Sequence, residues 1–208
     1  MLLVFGVRYL YTLVTTGSFH CPVCGVDRGY RVRSPRSWFH VFWLPLVPLR
    51  HGAEFVECDV CRSRFETTVL GVPTSQQLGE LLSRGVRTAA AYLITSAEAS
   101  GETLERSVAV LQRSLGPAYS REVLEADLAA HRHGSDFGVL GQLAGSLDVL
   151  GKERLLRGLA DLELVLADGR GSREPDWARL GDVASALGVT PAHLRGIVHE
   201  ASTRSREG

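Results

Sequence analysis

Apolar and polar positions change rhythm once along the chain. From residue 1 to 70, short runs rich in aromatic and β-branched side chains are broken by glycine, proline and polar turns. This pattern predicts strands at Leu2–Phe5, Tyr9–Thr15, Tyr30–Arg33, Trp38–Val47, Glu54–Glu57 and Phe65–Leu70. The segment GVPTSQQ, Gly71 to Gln77, gathers Gly, Pro and small polar residues and reads as a linker. From Leu78 onward apolar residues recur three and four apart, as at Leu82, Val86, Ala89, Ala90, Leu93 and Ile94, which is the period of an amphipathic helix.

Punctuation divides the second half into six or seven helices. The breaks are SGET at Ser100, LGPAYS at Leu115, HRHGSD at His131, LGKE at Leu150, DGRGSREP at Asp168 and LGVTP at Leu187. Thr190 before Pro191 is a helix start, with a capping hydroxyl and a proline where no amide is needed. An internal echo runs through this half: helix, acidic glycine loop, helix, Leu-Gly turn, helix, once around AEASG and SLGPAYS and again around LADG and ALGVTP. The expected fold class is α+β, with a β-rich domain over 1–70, a linker over 71–77, a helical bundle over 78–201 and a disordered tail over 202–208.

One stretch, WFHVFWLPLVPL from Trp38 to Leu49, is almost wholly apolar. It is too short to cross a bilayer as a helix, which takes about 20 apolar residues, and Pro45 and Pro48 would break such a helix. A strand is expected instead, and its two apolar faces need two covers. At the start of the chain, Arg8 interrupts MLLVFGVRYLYTLV and no cleavage-site pattern follows, so a cytoplasmic protein without a transmembrane segment is expected. Basic and acidic residues balance at 23 each, so no global field draws the chain to nucleic acid or anionic lipid. Local patches remain. Arg28, Arg31, Arg33, Arg36 and Arg50 alternate with Tyr30, Trp38, Phe39 and Trp43, a pattern that suits phosphates and bases, or a membrane surface, as readily as a protein partner.

All four cysteines fall into two pairs, CPVC at Cys21 and Cys24 and CDVC at Cys58 and Cys61. Two-residue spacing lets both thiolates of a pair converge on one ion, and two such turns complete a tetrahedral zinc site. Gly25 suits the first turn because it tolerates positive φ; Arg62 takes that place in the second. Disulfides would need an oxidising compartment that nothing in the sequence signals, and a redox-active pair would need only one CxxC, at a helix start. His20, His40 and His51 lie nearby, yet four thiolates already close the shell. Farther on, Asp168, Glu174 and Asp176 could approach a divalent cation such as Ca2+. No nucleophilic triad, phosphate loop or dinucleotide fingerprint occurs, so an enzyme is the least expected class.

The string FHCPVCG, WFHVFWLPLVPL and GAEFVECDVCRSRF, spanning Phe19 to Phe65, resembles a bacterial zinc-ribbon family with an aromatic-proline strand between two CxxC knuckles. The helical half resembles the tellurite-resistance TerB family: Ala167, Asp168 and Gly169, followed by Asp176 and then by Leu187 and Gly188, match its acidic loop and Leu-Gly turn. That resemblance implies an all-helical fold, a link to stress responses and divalent metal at two acidic loops. In the first loop Ser100 stands where aspartate is expected, leaving Glu98, Glu102 and Glu105 as substitutes. The expectation is a non-enzymatic zinc-binding module that docks a partner or senses a divalent metal.

Overall fold

The structure is a computed structural model describing residues 5–41, 44–132, 137–172 and 174–207. It is an α+β protein. Five antiparallel strands come first: β1 Phe5–Cys21, β2 Val26–Val41, β3 Leu44–His51, β4 Phe55–Cys58 and β5 Arg64–Glu66. A short 3-10 helix, Thr67–Gly71, leads to seven helices among the described residues: α1 Ser75–Ser96, α2 Glu102–Leu115, α3 Arg121–Arg132, α4 Gly138–Ser146, α5 Val149–Gly169, α6 Trp177–Ala186 and α7 Pro191–Glu207. The chain divides into two compact units, residues 1–78 and 79–208.

β1 and β2 form a long hairpin, and β2 carries two partners on its other edge: β3 along Arg36–Val41 and β4 along Tyr30–Arg33. The strand expected over Trp38–Val47 is therefore two strands, with Val41 opposite Leu44. Proline explains the arrangement: Pro45 and Pro48 lack an N–H and fit only an edge strand, which β3 is. The strand expected at Phe65–Leu70 is shorter, giving way to the 3-10 helix after Glu66. Phe42 and Trp43, and most of the strand expected at Leu2–Phe5, lie outside the described residues.

A one-residue bulge in β1 decides which way its apolar side chains point. Leu13 stands opposite Arg33, but Thr15 stands opposite Val32, so Val14 is the extra residue. Because side chains alternate with period two, the bulge flips the phase of the strand. Beyond it, Phe19 and Cys21 join Val32, Val56 and Cys58 in a small buried core, with Tyr30, Phe65, Val69 and Leu70 around it. Before it, Val7, Tyr9, Tyr11 and Leu13 share the opposite face with Phe39 and Phe55, and the Tyr11 and Phe55 rings meet edge to face at 5.8 Å.

The helical unit buries one continuous core, and α5 runs through it with Leu156, Leu159, Leu162 and Leu166 inaccessible. Its helix ends are chemically closed. Asp148 accepts from the Gly151 N–H, Asp176 from the Ala178 N–H and Thr190 from the His193 N–H, with Pro191 in the first helical position. Both Leu-Gly turns use glycine at positive φ, 91° at Gly116 and 68° at Gly188. The order helix, loop, helix, Leu-Gly turn, helix thus occurs twice, as α1–α3 and as α5–α7.

Two expected boundaries are corrected. The segment 71–77 is not a free linker: the Gln77 N–H donates to the Thr74 hydroxyl and the Thr74 N–H to the Gln77 amide oxygen, a reciprocal capping box that starts α1. Nor does the tail fray at 202, since α7 continues to Glu207, with Ala201 buried and Arg204 3.5 Å from Asp161. No glycine or proline interrupts Ala201–Glu207, so nothing stops the helix.

Gly169 ends α5 hard against α2: a Cβ there would lie 2.7 Å from Thr103 Cγ2 and 3.0 Å from Thr103 Cβ. Gly169→Ala is expected to cost about 1–3 kcal/mol in urea unfolding, and Thr103→Ala in that background to recover part of the loss.

Candidate metal centre

The strand order brings the two cysteine pairs together. Cys21 ends β1 and Cys24 lies in the turn to β2, while Cys58 ends β4 and Cys61 lies in the turn to β5. Pairing of Tyr30 with Cys58 sets the second turn beside the first. All four Sγ atoms lie within 4.8 Å of one another, and they are the only group of three or more metal-ligating side chains to converge among the described residues. Cys21 Sγ and Cys61 Sγ are 3.8 Å apart, far beyond a covalent S–S bond, and all four thiols are free. Four sulfurs at about 2.3 Å from one tetrahedral ion would be spaced by about 3.8 Å. The donor set and its spacing therefore fit zinc.

The two turns are alike in backbone despite their different sequences. The Gly25 N–H donates to the Cys21 carbonyl at 2.8 Å, and the Arg62 N–H to the Cys58 carbonyl at 3.1 Å. Gly25 sits at φ 67° and Arg62 at φ 62°, so Arg62 adopts the left-handed geometry that glycine adopts without strain. Electrostatics in the cluster are divided. Hydrogen bonds from the Ser63 side chain and backbone N–H push the Cys61 thiol down to about 6. Partial burial and the neighbouring sulfurs of Cys21, Cys61 and Cys58 push the Cys24 thiol up to about 11. Close packing of thiols favours protons on some of them, so a bound cation must displace protons to take all four as thiolates.

The histidines near the cluster stand outside it. His20 Nδ1 is 3.2 Å from Asp27 Oδ1, and Asp27 Oδ2 accepts from the Ser75 N–H at 2.8 Å. Partial burial works against ionisation of Asp27, but the Ser75 and His20 contacts outweigh it and hold the carboxyl below its usual range. Among the expected arginine contacts, Arg31 pairs with Asp59 at 3.1 Å and Arg33 with Glu57 at 3.2 Å, so both serve the sheet. Arg36 lies over the Trp38 ring at 5.5 Å. Trp43 is outside the described residues.

The acidic residues expected to form a second divalent-cation site are not brought together. Asp168 pairs with Arg106, Glu105 with Arg121, and Asp176 caps α6 while meeting Arg179 at 3.3 Å. Glu98 stands at φ 53° where the chain leaves α1, and Glu102 opens α2; the Glu174 backbone is held by Ser172. Asp168 and Glu105 are thus ion-pair partners and Asp176 a cap, and none of the six acids joins a group of three convergent ligands.

An acid that motif reading missed is the most deeply buried of all. Glu163 is inaccessible to solvent on α5, with both carboxylate oxygens lacking a hydrogen bond and Arg179 Nε 3.6 Å away. Its signal in the sequence was an acidic residue on the apolar stripe that Leu156, Leu159 and Leu166 define. Burial pushes its carboxyl up to about 7, against the pull of Arg179 and Arg170.

Comparison with protein-family models, with curated proteins and with solved structures gave no match.

Two outcomes are expected. Gly25→Ala meets no neighbouring atom but must hold φ 67°, so it should cost about 1 kcal/mol of zinc-loaded stability, whereas Arg62→Gly should gain up to about 1 kcal/mol. Thermal unfolding of the loaded variants reads the opposite signs. Between the ordinary 4.5 of a glutamate and about 7, folded Glu163 keeps a proton that the unfolded chain releases, so stability falls as pH rises through that window. Relative to wild type, Glu163→Gln should therefore be more stable at pH 8 than at pH 5, by on the order of 2 kcal/mol in paired denaturation curves.

Proposed function

We propose that the protein is a non-catalytic docking module: a zinc ribbon whose ion fixes the base of a long apolar hairpin, joined to a TerB-like helical unit. The observation that carries this reading is the convergence of four free thiols, with the spacing of a tetrahedral thiolate site, beneath a hairpin whose far half has no core of its own. A closed set of four thiolates leaves the ion no open position for water or substrate, which makes its role structural. Docking is favoured over sensing of a second cation because Asp168, Glu105 and Asp176 are engaged by separate arginines and no three acids converge. It is favoured over nucleic-acid binding because Arg31 and Arg33 are already neutralised by acids of β4 and the turn after it. The link to tellurite and stress responses rests on the resemblance of the helical unit.

Protein produced without a histidine tag should contain one equivalent of zinc by elemental analysis. Cys58→Ser should lose most of it and abolish cooperative unfolding of the β unit while leaving the helical signal. Less than about half an equivalent in the wild type would remove the reading.

A further inference from the structure

Arg179 stands between two carboxylates in unlike surroundings. Its Nε lies 3.6 Å from Oε1 of Glu163 on α5 and 3.3 Å from Oδ2 of Asp176 at the start of α6. That Nε is buried and hydrogen-bonds neither. Glu163 is inaccessible to solvent, with both oxygens lacking a hydrogen bond. Asp176 is half exposed, and its other oxygen accepts the Ala178 N–H at 3.2 Å.

While Glu163 holds its proton, the guanidinium has one anion to neutralise, Asp176. Once Glu163 ionises, its charge is shut away from water, and a buried carboxylate without hydrogen bonds is strongly disfavoured. Asp176 can release the guanidinium because water reaches it. The smallest rearrangement that relieves Glu163 is therefore closure of Arg179 onto it, from an ion pair at 3.6 Å to a charge-assisted hydrogen bond of about 2.8 Å. Other charges around the pair are already placed. Arg170 acts on Glu163 from the end of α5, and Tyr92 of α1, with His131 of α3 against its ring, donates to Asp182 of α6. Charged groups of α2 and α7 that reach α5 are held elsewhere: Arg106 by Asp168, Arg113 and Arg204 by Asp161, His193 by Glu153 and Glu200 by Arg157. Helix α4 carries no ionisable side chain.

We propose that Arg179 passes from Asp176 to Glu163 when Glu163 loses its proton, which makes the first turn of α6 a pH-responsive element. Burial holds that carboxyl up at about 7, so the exchange falls at neutrality. Asp176 is then left with the Ala178 N–H alone, and Trp177, between the two, moves with it. Trp177 forms a wall of a groove of about 640 Å3 with Leu194 and Val198 of α7, so the exchange reshapes a surface of the helical unit. Every group in it lies within residues 79–208, so it does not depend on zinc in the β unit.

Chemical shifts of the Arg179 Nε–H group and of Trp177 labelled as 5-fluorotryptophan read the two ends of the exchange in the full zinc-loaded chain. His199 lines the same groove and a histidine titrates near neutrality, so every sample carries His199→Gln. Both signals should titrate together with one midpoint near 7. In Glu163→Gln both should stay at their acid positions between about pH 5.5 and about pH 8.5. Titration that persists in a folded Glu163→Gln overturns the proposal. So does a Glu163 carboxyl carbon that titrates while Arg179 or Trp177 stays fixed, since water and not the guanidinium would then meet the charge. If circular dichroism shows that Glu163→Gln does not fold, the Glu163 carboxyl carbon supplies the comparison. Its midpoint should equal that of Arg179, and a gap of more than about half a pH unit overturns the proposal.

Discussion

Four sulfurs drawn within 4.8 Å of each other are a charge problem before they are a binding site. As thiolates they repel, and as thiols they leave close-packed protons with poor partners, so a cation among them would stabilise the arrangement. Such a cation would matter to the β unit because its own core is small, comprising Phe19, Val32 and Val56 with the two buried cysteines. A domain of this size seldom carries enough apolar burial to fold unaided, and a metal would supply what the core does not. By tying the turn after β1 to the turn after β4, the ion would fix the pairing of β2 with β4, and through β2 the register of the whole hairpin.

The helical unit solves its problem by ordinary means. Leucines along α5 fill the centre, carboxylates and hydroxyls close the helix starts, and glycine at positive φ closes the Leu-Gly ends. Ion pairs such as Arg87 with Asp127, where Tyr119 also donates to the carboxylate, hold α1 against α3. Glu163 is the exception, an acid held within an otherwise apolar layer beside Arg179. The unit tolerates it by keeping the proton on below neutral pH, which makes burial of an acid affordable in a way that burial of a free carboxylate is not.

Much of this was legible in the residues. The cysteine pairs stood out because ligand chemistry restricts both type and spacing, and Thr190-Pro191 marked a helix start because capping and proline geometry are local. What failed to show depends on partners distant in sequence. Trp38–Val47 reads as one strand because period-two burial looks the same whether the chain continues or turns back, and only pairing reveals the break after Val41. Thr74 and Gln77 form a capping box, but Gly71 and Pro73 nearby make the same letters look like a linker. The acids of the two loops cluster in sequence but form no convergent group: Asp168 and Glu105 find Arg106 and Arg121, both distant in sequence, and Asp176 caps its own helix.

The Val14 bulge decides where the cysteines can meet. Removing Val14 would make Leu13 and Thr15 consecutive residues of a regular strand and keep both registers, Leu13 opposite Arg33 and Thr15 opposite Val32. Drawing Val14 into the ladder without losing a residue would do the reverse, turning Phe19 and Cys21 to the face of Tyr9 and Leu13 and away from Cys58. One unpaired residue in the first strand thus sets the side of the sheet on which a ligand cluster can assemble.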